Sequence, residues 1–148
     1  MKIVGISHVA FAPKDPEKAR WFFTEVLGLG DGGSEDVTTQ KTKTDFFDFK
    51  TLDSKPRVEM ITPLLSAESG VPEGPVASFL DKKGSGWHHL ALCVESVDAA
   101  IVSMKAHGVE LISETPQRGA HNTRVVFIHP RSTGGILVEL TEEVSATV

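Results

Sequence analysis

The chain has 148 residues, 40% apolar and 24% charged, with a formal charge of −5 and one cysteine, Cys93. This composition fits a single soluble globule. It excludes a nucleic-acid or anionic-membrane partner held by bulk positive charge, because the fifteen Lys and Arg form no basic window. A lone cysteine cannot close an intrachain disulfide and no apolar run reaches membrane-spanning length. The cysteine count predicts a reducing compartment: the cytoplasm, or the mitochondrial matrix if a presequence has been removed.

The first thirty residues predict a strand, a helix and a turn. "KIVGISHVAFA" is β-branched, small and aromatic, and Pro13 closes it. In "KDPEKARWFFTEVLGLGDGG", Asp15 suits a cap and Pro16 the first turn. Trp21, Phe22, Val26 and Leu29 recur at helical spacing before glycines stop the run. "SEDVTTQKTKT" predicts a short strand and a loop. "DFFDFKTL" and "PRVEMITPL" predict two strands joined by "DSK". A Gly/Ser/Pro-rich linker, "SAESGVPEGPVASFLDKKGSG", carries one short helix.

The same grammar then repeats. "GWHHLALCVE" is a strand, "SVDAAIVSMKAHGVEL" a helix capped by Ser96 with a strand start after its glycine, and "TRVVFIHP" and "GGILVELTE" a closing strand pair. An offset of 81 lays His8 on His89 and Ala10 on Ala91, and an offset of 80 lays Glu59 on Glu139. The expected fold is therefore α+β. Two tandem βαβββ modules, at about 1–65 and 86–142 with the linker at about 66–85, make one 1–148 domain.

Strand parity sorts the side chains. His8, Ala10 and Ala12 share one face against Val9 and Phe11, and His89, Ala91 and Cys93 share one against Leu90, Leu92 and Val94. Large apolar side chains belong under the helices, which leaves both histidines on the small-residue side. The same parity leaves Glu59 and Glu139 there, with Val58, Met60, Val138 and Leu140 packed inward. His88 falls with Leu90 and Leu92 and is expected to be a packing residue. Two buried carboxylates need cations or protons, and two imidazoles with two carboxylates compensate one divalent metal. His8, Glu59, His89 and Glu139 are the expected ligands. An octahedral shell with four protein ligands leaves two positions for a substrate that chelates through two oxygens.

The paired modules with these four residues resemble the vicinal oxygen chelate superfamily over essentially the whole chain, which implies a curved mixed sheet around a metal-binding cavity. "RGAHNTRVVFIHPRSTGGILVEL" and "PVASFLDKKGSGWHHLAL" resemble the methylmalonyl-CoA epimerases within it. The resemblance implies an isomerase acting on a small acyl-CoA thioester. Its reaction is α-proton removal and return through a metal-stabilised enolate, interconverting (2R) and (2S) forms. It implies Co2+ first, with Mn2+, Ni2+ or Zn2+ as alternatives, and a homodimer. It also implies that Glu139 doubles as a catalytic base and that a second base lies on the third strand. That strand has no glutamate here, and Asp45 lies nearest the expected place, with Asp48 as the other aspartate. Ser132, Thr133 and Gly134 in "HPRSTGG" are expected to touch substrate. No glycine-rich phosphate loop is present, and no single Lys or Arg stands out for the coenzyme's phosphates. A glyoxalase I-like lactoylglutathione lyase and a metal-free small-molecule binder are the alternative readings. An extradiol dioxygenase fits poorly, because it needs no ligand at Glu59.

Overall fold

A computed structural model describes residues 1–50 and 56–144, so the expected "DSK" turn lies outside the described residues. The chain forms two compact units, one of residues 8–88 and one of residues 1–7 with 89 onward. The linker helix thus joins the first unit. Residues 1–7 join the second, where Lys2 accepts a backbone hydrogen bond from Glu95 and pairs with its carboxylate at 2.7 Å.

In the first unit the strands run in the order β2 (Gly30–Val37), β3 (Thr42–Asp48), β4 (Arg57–Pro63) and β1 (Ile3–Ala12), of which this unit holds the residues from His8 on. β4 lies parallel to β1 and antiparallel to β3, which is antiparallel to β2. Helix α1 (Pro16–Trp21) starts as expected, with the Asp15 carboxylate accepting from Lys18 N and Pro16 in the first turn. It then widens over Phe22–Val26, where Leu27 N donates to Phe22 O at 3.0 Å, an i→i−5 bond. Gly28, with φ of 71°, ends it. The polar stretch that predicts little becomes β2, a short 3-10 turn and β3, with Lys41 left-handed at the corner.

The second unit orders its strands β5 (Gly86–Val94), β8 (Val138–Glu143), β7 (Thr123–Ile128) and β6 (Gln117–Arg118). Its pairings repeat those of the first, parallel for β5/β8 and antiparallel for β8/β7 and β7/β6. Helix α3 (Val97–Ala106) is capped by Ser96, whose hydroxyl accepts from Ala99 N. The strand start expected after Gly108 amounts to one bridge, Leu111 to Ile128. Ser113 draws the backbone of Thr115 into a turn there, and Pro116 has no N–H to extend a ladder.

Parity orders both cores. Phe11, Phe47 and Met60, with Val58, pack against Ala19 and Phe23 from the α1 segment. Val94, Val126, Ile128 and Leu140, with Leu92 and Val138, pack against Val97, Ala100, Ile101 and Met104 of α3. The other face of the first unit is partly covered as well. Helix α2 (Pro75–Lys83) sets Val76, Phe79 and Leu80 over Ala10, Ala12 and Ile61. The small residues of β1 therefore admit a helix at one end of that face.

Candidate metal centre

Each unit carries one buried His/Glu pair. In the first, His8 Nδ1 lies 3.4 Å from Glu59 Oε1, and both residues are under 10% exposed. In the second, His89 Nε2 lies 3.4 Å from Glu139 Oε2, with similar burial. The duplication is visible rung by rung. Glu59 is flanked by Ala10 on the parallel neighbour and Phe46 on the antiparallel one. Glu139 is flanked by Ala91 and Phe127 in the same way, and each histidine lies two residues before its alanine. Phe127 meets the His89 ring edge to face, with centroids 5.7 Å apart.

A separation of 3.4 Å is long for a charge-assisted hydrogen bond, which runs at about 2.7–2.9 Å. It suits two donors sharing one ion, since atoms each about 2.1 Å from a metal fall about 3.0–3.5 Å apart. Buried imidazole nitrogens beside carboxylate oxygens are also the donor chemistry that borderline divalent metals take. The residues present therefore fit the group. His88 has another job. Its ring meets Phe79 of α2 edge to face, with centroids 4.9 Å apart. Burial foremost, with the Lys83 charge second, lowers its pKa to about 4, so it packs as a neutral ring.

One expectation needs correcting. Asp45 opposes Met60 in the β3/β4 ladder, while Phe46 opposes Glu59. Its carboxylate therefore lies on the α1 face, away from Glu59, where the half-buried Arg20 Nη2 pairs with it. Asp45 cannot serve as a base beside Glu59. Asp48 does share the Glu59 face and is bound by Arg57. The hydroxyls of Ser132 and Thr133 are engaged within their own loop. Ser132 Oγ accepts from Glu110 N, and Thr133 Oγ1 donates to the carbonyls of Pro130 and Ile136 while accepting from Ile136 N. Gly134, with φ of 77°, supplies the left-handed turn that this loop requires.

Duplicated four-strand modules with a His/Glu pair on matching rungs define a protein of the vicinal oxygen chelate fold. The chain belongs to the glyoxalase/bleomycin resistance protein/dioxygenase superfamily, whose family profile matches residues 7–127. It is 34% identical to an uncharacterised protein of Bacillus subtilis, over 93% of this chain and 91% of the relative. It is 33% identical to the mitochondrial methylmalonyl-CoA epimerase of Bos taurus, over 93% of this chain and 73% of that one. The crystal structure of methylmalonyl-CoA epimerase from Mycobacterium tuberculosis matches with a TM-score of 0.82 and 33% identity, over 96% of this chain and 89% of that one.

Proposed function

We propose that the protein is a divalent-metal-dependent epimerase interconverting (2R)- and (2S)-methylmalonyl-CoA. In this reading His8, Glu59, His89 and Glu139 ligate one ion, Co2+ first, and Glu139 also takes the α-proton. The observation that carries it is the repeated buried His/Glu pair, 3.4 Å apart in each unit. Similarity to the bovine and mycobacterial epimerases supports the choice of substrate. When bound, a divalent ion supplies Lewis acidity toward two substrate oxygens. The α-carbon of methylmalonyl-CoA lies between a thioester and a carboxylate, so its proton is the acidic one and its loss leaves a planar centre that either face can reprotonate. Glu139 is 4% exposed, and Ala91 and Phe127 flank it on the neighbouring strands. In this reading the buried Glu139 carboxylate is the group that takes that proton. Asp45 takes no part. A homodimer and a cytoplasmic or matrix location complete the reading. Among the described residues, no helix is long and apolar enough to cross a membrane.

The test is proton exchange in D2O. With Co2+ and (2R)-methylmalonyl-CoA, the α-proton NMR signal should disappear as the (2S) form appears, and EDTA-stripped protein should do neither. Bound metal without exchange would point to glyoxalase-type substrates. Neither metal nor exchange would leave a binding protein.

A further inference from the structure

Within the first unit, the Arg57 cation shares the face of the His8/Glu59 pair. Arg57 lies two residues before Glu59 on β4, about 6.6 Å along the strand and on the same side. In the parallel ladder it is the direct partner of His8. A carboxylate and a ring help to orient its guanidinium. Nε donates to Asp48 Oδ1 at 3.0 Å, and the group lies over the Phe46 ring, 5.9 Å from the centroid. Gly32 makes room for this arrangement, since a Cβ there would meet Asp48 Oδ2 at 2.6 Å and the Phe46 Cβ at 2.9 Å. The Arg57 side chain is 22% exposed, so it is mostly buried yet reachable.

The fold does not require this cation. In the second unit Leu90 pairs with Val138, so His89 falls opposite Leu137, which the offset of 80 lays on Arg57. Leucine thus occupies the corresponding rung, and Arg57 is an addition particular to the first module. A planar guanidinium already oriented by a carboxylate and a ring recognises an oxyanion at low entropic cost.

We infer that Arg57 receives the free carboxylate of the substrate and selects 2-carboxyacyl thioesters over plain acyl thioesters, with Asp48 as its positioning residue. This inference rests on the epimerase reading. A substrate whose α-carbon sits beside the His8/Glu59 rung brings its carboxylate within reach of the Arg57 rung, whereas the coenzyme phosphates are a whole pantetheine chain away. The incoming negative charge also joins Glu59 and Asp48 on one face, where a second cation is needed.

The test compares ligands in calorimetric titrations of the metal-loaded enzyme. Arg57→Leu, which copies the leucine of the sister rung, is expected to weaken methylmalonyl-CoA binding about 10- to 100-fold. It should leave propionyl-CoA, which lacks the carboxylate, within about twofold of wild type. Arg57→Lys should fall between the two enzymes. The loss should persist with the N-acetylcysteamine thioester of methylmalonate, which carries no phosphate. Asp48→Ala should weaken binding less and add nothing to Arg57→Leu, as expected of a residue acting through another. An equal loss for propionyl-CoA would make Arg57 a phosphate contact and overturn the inference, as would no loss at all. A wild-type enzyme that binds methylmalonyl-CoA no better than propionyl-CoA would overturn the epimerase reading as well.

Discussion

His88 and His89 are chain neighbours with opposite fates, because a strand turns successive side chains to opposite faces. His89 meets a carboxylate at 3.4 Å, and His88 meets the Phe79 ring of the linker helix. His89→Ala is therefore expected to remove bound metal and with it more than about 100-fold of the exchange rate. His88→Ala should keep the metal and most of the turnover while losing about 1–3 kcal/mol of stability as α2 loses its ring contact. Metal content by atomic emission and urea midpoints would separate the two. Metal loss in His88→Ala with retention in His89→Ala would reverse the assignment of faces.

The elements show what local chemistry does and does not specify. Asp15, Pro16 and Ser96 mark helix starts that formed as their chemistry demands, and the Phe11 and Leu92 faces went beneath helices as alternation requires. The widened turn at Phe22–Val26 carries no sequence signal, because an i→i−5 bond uses the same apolar residues as a regular turn. Asp45 faces away from Glu59 for a different reason. A one-residue slip in register turns a side chain to the other face, and the length of the hairpin, not the composition of β3, decides that slip. The sister module explains what Asp45 does instead. With an offset of 81, Arg20 corresponds to Ile101 and Asp45 to Val126, an apolar pair in the α3 core. The ion pair thus replaces a hydrophobic contact at the same place in the architecture. Arg20→Ile alone would strand the buried Asp45 carboxylate and is expected to cost about 3–5 kcal/mol. Arg20→Ile with Asp45→Val should return to within about 1 kcal/mol of wild type or exceed it, and should epimerise at an undiminished rate. Urea denaturation and the D2O assay would check both outcomes. Loss of turnover in the double variant would restore Asp45 to the chemistry.

Over the whole molecule, duplication produced two equivalent His/Glu rungs, and the two glutamates need not have remained equivalent in chemistry. Both are buried, flanked by alanine and phenylalanine, and 3.4 Å from an imidazole nitrogen. The modules diverge around them. The Glu59 rung has Arg57, Asp48 and the ring of Phe46 beside it, whereas the other has Leu137 and a phenylalanine turned edge-on to His89. A polar, charge-matched setting suits a ligand that only holds, and an apolar setting suits a carboxylate that exchanges a proton with substrate. Replacing each glutamate with glutamine keeps an oxygen donor and removes the basic carboxylate. Glu59→Gln is expected to weaken metal binding about 10- to 100-fold yet recover most of its exchange rate at saturating Co2+. Glu139→Gln should lose about 100- to 10,000-fold even when fully loaded, the usual contribution of a positioned base. Metal titrations followed by exchange at saturation would distinguish loss of affinity from loss of chemistry. Recovery by Glu139→Gln with none by Glu59→Gln would move the base to the first module, next to Arg57.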